Sequence, residues 1–270
     1  MLEALQYAPI ARALVVLLVA GAVFPLTGVF VLRLNLVTLR FTLMHGTMLA
    51  AAVALALGMD QIILAAGLNI ALVALISLFG RKGEQSGFGT GTLTTFLMVT
   101  TIGAAFVVIY RFNVPAKDTL SILWGSLFAL TPRDAYVTAG FAAATLIFFL
   151  ASYRKLKALL FSHDVAFSVG IDATALHRAL LALVGLTVAL AVRLVGALLL
   201  DALLLLPAIV AGFHARSTRQ LFLISALVGV LSALVGFFLS LGLDIPASSA
   251  VTMTAALLLG IGFLTKRRGT

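Results

Sequence analysis

Asp201 is the one acid in the run GALLLDALLLLPAIVAG, residues 196–212. A carboxylate at the centre of a helix in hydrocarbon costs roughly 2.5–3.5 kcal/mol, so something must offset it. Two readings of the residues stay open. Asp201 pairs with Arg193 across an unwound junction near Gly196, or it lines a pathway and takes a cation. Pro207 lies one to two turns later; it removes a backbone donor and frees a carbonyl, a break that lines a cavity or shapes packing.

His45 is the second candidate. In TLRFTLMHGTMLAAAVALALG its i−4 and i+4 neighbours are Phe41 and Leu49, so its own helix offers no second polar ligand. A lone imidazole there either hydrogen-bonds a neighbouring helix or joins a carboxylate from elsewhere. Imidazole and carboxylate together suit Mn²⁺, Zn²⁺ or Fe²⁺. His163, His177 and His214 fall between or at the ends of apolar runs and are read as solvated. The stretch GRKGEQSGFGTGT (80–92) is glycine-rich but lacks the GK[ST] of a phosphate cradle, and reads as a flexible link. No nucleophile–base pair or HExxH appears, so no enzyme is expected.

The elements that must position these residues are membrane spans. The chain is 63% hydrophobic and only 10% charged, with a mean hydropathy of +1.21. Soluble domains are nearer half apolar and a quarter charged. Apolar runs long enough for about 30 Å of hydrocarbon recur at 12–32, 41–57, 62–79, 91–110, 136–152, 178–195, 196–213, 221–241 and 247–265. The pattern predicts an all-α polytopic membrane protein of eight or nine spans, one transmembrane domain over 1–270. Its first run is read as a retained helix because Glu3 precedes it and further spans follow.

The net charge of +9 does not point to nucleic acid, because the cations cluster between spans. Arg12, Arg111, Lys117, Arg133 and Arg193 fall on one side, and the other thirteen of the eighteen, Arg33 and Arg40 among them, on the opposite side. The positive-inside rule then places the N-terminus outside and the C-terminus in the cytoplasm. The outer connection 111–135 holds an apolar segment, DTLSILWGSLFAL, too short to span and expected to be re-entrant or interfacial. In the inner connection, Ser162 is a good N-cap and Gly170 a natural C-cap for a short helix over about 161–171. That helix either fits a cleft on a soluble partner or lies in the headgroups.

Taken in order, these stretches resemble the membrane subunit of the ABC importers for zinc, manganese and iron, the ABC-3 permease family. The family's first helix ends in L-R, followed by G-D-A-hydrophobic-S-H. Here Leu32, Arg33 and His45 match, while Arg40 and Phe41 stand where the family has Gly and Asp. Its L-x-G-x-[IL]-[LF]-A segment is similar to ILWGSLFAL, with Gly125 matched. Its coupling helix, F-D-x-x-x-A-x-x-x-G, is similar to FSHDVAFSVG: Phe161, Ala166 and Gly170 match, and Ser162 replaces Asp. Its G-x-[IL]-L-[IV]-x-A-[LM]-L-I-x-P-A-x-x-A block matches at Gly196, Ala202, Pro207, Ala208 and Ala211, with Asp201 at a position the family fills with a small, apolar or amide residue.

The resemblance implies a permease in a bacterial or archaeal cytoplasmic membrane, working as a homodimer. Each copy would rest its coupling helix on an ATP-binding cassette subunit that performs the ATP chemistry, and an extracytoplasmic solute-binding protein would deliver the solute. That solute would be a divalent Zn, Mn or Fe ion, with no cofactor held permanently. In the family the Asp and His four residues apart are the ion ligands. This chain keeps His45 and loses the acid at Phe41, so Asp201 is expected to supply the carboxylate from another helix. The alternatives are the same fold carrying a non-metal or chelated solute, and a secondary transporter, for which the sequence shows no internal repeat.

Overall fold

The computed structural model describes residues 6–83, 89–115, 125, 127–161, 167–168 and 170–266. Nine of their helices are long and apolar enough to cross a membrane. They are α1 (Ala8–Arg33), α2 (Val37–Leu57), α3 (Gln61–Gly83), α4 (Thr90–Arg111), α5 (Pro132–Phe161), α6 (Ala173–Val195), α7 (Ala197–His214), α8 (Thr218–Leu243) and α9 (Ala247–Leu264). Among the described residues there is no strand.

Local chemistry sets the helix ends. Asp60 accepts from the Ile62 and Ile63 amides at 2.9 and 3.2 Å and starts α3. Thr131 and Asp134 cap α5 reciprocally, the Thr131 amide donating to Asp134 and the Asp134 amide to the Thr131 hydroxyl. Asp172 accepts from the Ala175 amide to open α6, and Ser217 accepts from the Gln220 amide to open α8.

Several boundaries lie a turn or more from the expected spans, and two of these matter for the charges. α5 runs on to Phe161, so Arg154, Lys155 and Lys157 continue a helix rather than begin a loop. α2 starts at Val37, one turn earlier than expected, which carries Arg40 out of the connecting loop and into the bundle, fully buried. The expected re-entrant segment is described at Gly125 and at Leu127–Ala129, a single 3₁₀ turn whose Leu127 is buried in the main core.

α1, α6 and α7 are buried along most of their length and form the centre. α2, α3 and α4 pack beside α6 on one flank, and α8 and α9 against α1 and α7 on the other. The approach of α1 to α7 needs a glycine: a Cβ on Gly28 would land on the Leu204 carbonyl. Several hydroxyls buried in this interior are satisfied within their own helices, as when Thr47 donates to the Leu43 carbonyl at 2.9 Å and Ser232 to that of Val228 at 2.8 Å, whereas those of Thr27 and Thr145 have no partner among the described residues. Outward faces carry large apolar side chains such as Phe106, Ile147, Leu227 and Leu257, as hydrocarbon rather than water requires.

The bundle ends differ. At one end Arg12 donates to the Leu130 carbonyl at 2.6 Å, and Arg133 pairs with Asp60 at 2.7 Å. At the other, Arg33, Arg154, Lys157 and Arg216 surround one cavity. The charges therefore separate in space as the loop partition requires.

Candidate functional site

Asp201 lies five residues into α7, just past the break at Gly196. Gly196 has φ +86° and ψ 163°, a conformation that L side chains rarely adopt, so the helix direction changes at this one residue. Gly125 of the preceding connection closes over it; a Cβ there would strike the Val195 carbonyl. The junction is thus a single residue capped from outside, and no unwound stretch is available to fold Arg193 back onto Asp201. Among the described residues the ion pair of Asp201 is with Arg40 of α2, Nη1 to Oδ1, and not with Arg193.

This pair is asymmetric. The Arg40 side chain has no exposed surface, whereas 37% of the Asp201 side chain remains accessible. Arg40 also lies over the ring of Phe41, 4.0 Å from its centroid. None of the buried Nε, Nη1 and Nη2 of Arg40 makes a hydrogen bond among the described residues, so the contact with Asp201 is an ion pair rather than a bidentate fork. A buried guanidinium with unused donors is a strong site for a negative charge, and Asp201 occupies only part of it.

His45 is half-buried on α2. Five residues separate it from Arg40, about 140° around the helix axis and about 7.5 Å along it. The structure therefore joins Asp201 to Arg40 and leaves His45 on another face. Met44 and Met48, partly buried, pack against the core next to it. Among the described residues no three His, Cys, Asp or Glu side chains converge.

Two polar residues have roles that the sequence reading misses. Arg40 reads there as a loop cation; extending the α2 pattern back by one turn places it inside. Asn69 stands alone in the apolar run of α3, fully buried. Its Nδ2 donates to the Thr47 hydroxyl at 2.9 Å and to the Gly185 carbonyl at 3.0 Å, pinning α2, α3 and α6 together two residues from His45.

Pro207 sits buried within α7 as the sequence predicts, among the buried Leu203, Leu204, Ala208 and Ala211. Phe161 ends α5 and is 82% exposed at the basic end. Gly170 has φ +75°, the left-handed conformation of a C-cap, and its amide donates to the Phe167 carbonyl at 3.0 Å. Ser162 and Ala166, with His163, lie outside the described residues. His214, expected in water, is half-buried, within hydrogen-bond distance of the Val210 carbonyl (3.1 Å) and the Thr265 hydroxyl (3.2 Å). It ties the ends of α7 and α9.

Comparison with known proteins agrees with this architecture. A chain of PsaBC from Streptococcus pneumoniae, solved in complex with Fab, superposes with a TM-score of 0.85 at 24% identity, over 97% of this chain and 94% of that one. The manganese import system permease protein ScaB of Streptococcus parasanguinis is 24% identical over 258 residues, 96% of this chain and 91% of that protein. The manganese transport system membrane protein MntC of Halalkalibacterium halodurans is 24% identical over 264 residues, 97% and 88% of the two chains. The profile of the ABC 3 transport family matches residues 6–266. With nine apolar helices, a helix break at Gly196 and this match along nearly its whole length, the chain belongs to the ABC 3 transport family.

Proposed function

We propose that the chain is the membrane-spanning subunit of an ABC importer for a divalent metal ion, with manganese the first candidate because two similar proteins are named for its transport. It works as a homodimer, takes its ion from an extracytoplasmic solute-binding protein, and leaves ATP hydrolysis to a cassette subunit. Phe161, Ser162, Ala166 and Gly170 form the coupling surface for that subunit. The exposed aromatic rings of Phe161 and Phe167 beside the basic end support this. The N-terminal end faces outward and the basic end the cytoplasm of a bacterial or archaeal cell.

The observation that carries the reading is the partly accessible Asp201 carboxylate held by a wholly buried arginine. A divalent ion competes for the carboxylate by pushing the guanidinium aside, and His45, about 7.5 Å further along α2 and on another of its faces, is a separate, softer station rather than a co-ligand. Arg40 is thereby the counter-ion that a metal must displace from Asp201. The test is ATP-dependent Mn²⁺ uptake into vesicles holding the assembled transporter. Asp201→Asn and His45→Ala should each lower uptake by about tenfold or more. Unchanged rates in both variants would refute the assignment.

A second reading rests on the unused Nε and Nη2 of Arg40. Free donors in a buried guanidinium suit an anionic solute, so the same permease would carry a metal as its carboxylate chelate. Uptake of Mn²⁺ citrate that exceeds uptake of free Mn²⁺, and that falls with Arg40→Gln, would select this reading over the first.

A further inference from the structure

Two cavities lie in succession between α1, α5 and α8, and they have opposite chemistry. At the basic end lies a cavity of about 550 Å³ lined by Arg33, Arg154, Lys157 and Arg216, with Phe161 also on its wall and no acidic residue there among the described residues. All four cations are exposed. Toward the middle of the bundle the same three helices enclose a second groove of about 550 Å³, walled by Leu26, Leu146, Leu150, Phe149, Phe222 and Leu223. Tyr153 and Arg219 stand among its lining residues on α5 and α8, close in sequence to the cations of the first cavity.

The apolar part has a fixed floor. Phe30, Phe149 and Phe222, one from each helix, stack with centroid separations of 5.4, 5.6 and 6.0 Å, and these rings hold the three helices at a set spacing. Beyond that floor the groove is open, with Leu150 77% exposed.

We propose that these two cavities together bind an anionic phospholipid of the leaflet at the basic end, its phosphate among Arg33, Arg154, Lys157 and Arg216 and one acyl chain along the groove. Three features select that occupant. The depth order is that of a lipid, with charge at the bundle end and apolar wall further in. The length fits: from Lys157 to Leu146 is eleven residues of α5, about 16 Å, close to the roughly 15 Å of hydrocarbon in one leaflet. The charge also fits, because four cations with no acid beside them among the described residues leave a zwitterionic headgroup underpaired, while a net negative phosphodiester matches arginine forks. A charge bias serving only to orient the chain needs no adjoining groove.

The proposal is independent of the solute carried. The experiment is native mass spectrometry of the full chain in detergent with equal amounts of dioleoyl phosphatidylglycerol and dioleoyl phosphatidylcholine. The wild type should retain phosphatidylglycerol over phosphatidylcholine by about tenfold or more. The triple variant Arg154→Gln, Lys157→Gln, Arg216→Gln should lose that preference, whereas Lys155→Gln, a cation outside the two cavities, should keep it. Where the triple variant does not stay folded, Lys157→Gln alone is read in the same way and should lose about fivefold. Equal retention of both lipids by the wild type overturns the proposal, as does an undiminished preference in the variant. Loss of the preference when the cassette subunit is added would assign the cations to that protein and overturn it too.

Discussion

Arg40 and Asp201 are tolerable inside this bundle only as a pair, because each alone would be a charge without a counterpart in a medium of low dielectric. Removing one partner is therefore more damaging than removing both. Asp201→Asn leaves the buried guanidinium uncompensated and should destabilise the chain by about 3–5 kcal/mol. The double variant Arg40→Met, Asp201→Leu should lie near the wild type or above it. Thermal unfolding in detergent checks both, and equal losses in the single and double variants would show that the pair is not the constraint. A different ionic contact controls pH behaviour at the opposite end. Partial burial raises the Asp60 carboxyl, but the Ile63 amide, the Arg133 guanidinium and the Ile62 amide together outweigh it and hold the group below its usual range. A depressed carboxylate adds stability above its unfolded pKa of about 4, and that stability is lost as pH falls through the lower folded value. Asp60→Asn should thus lower the melting temperature at pH 7, with a gap that shrinks as the pH falls below about 4.

At the scale of elements, helix ends and close approaches matter more than propensity. Runs of leucine and alanine made every span legible, and capping residues such as Asp60, Ser217 and the Thr131–Asp134 pair bound them. The one-turn extension of α2 was not legible. Its start, at Leu36, lacks a side-chain cap, and an arginine one turn in reads as a loop residue until the tertiary fold supplies its acid. Where helices touch at backbone distance the sequence offers only a glycine. Gly28→Ala must part α1 from the Leu204 carbonyl of α7 and should cost about 1–3 kcal/mol in the same unfolding assay. A shift near zero would mean the interface yields freely.

For the whole molecule, the gathering of Arg33, Arg154, Lys157 and Arg216 at the end opposite Asp60 is a statement about both topology and lipid. The chain has no cysteine, so single introduced thiols report on sides without background. Phe112→Cys should react with a membrane-impermeant reagent on intact cells, and Arg216→Cys only after the membrane is opened. The reverse pattern would invert the proposed orientation.

Composition and hydrophobic period alone determined that this chain is a bundle of membrane helices, because crossing hydrocarbon demands long apolar stretches whatever their partners. Gly196 and Pro207 were likewise readable, since each acts through its own backbone, whereas Gly125 stood only as a match to the family segment and its closure over Gly196 is tertiary. The partner of Asp201 was decided only in three dimensions. Arg40 lies 161 positions away in sequence, and no local period links residues on different helices. The same holds for Asn69 between Thr47 and Gly185, and for four arginines and lysines from α1, α5 and the α7–α8 connection gathered around one cavity. A buried charge tells the reader that a counterpart exists; only packing says which residue it is.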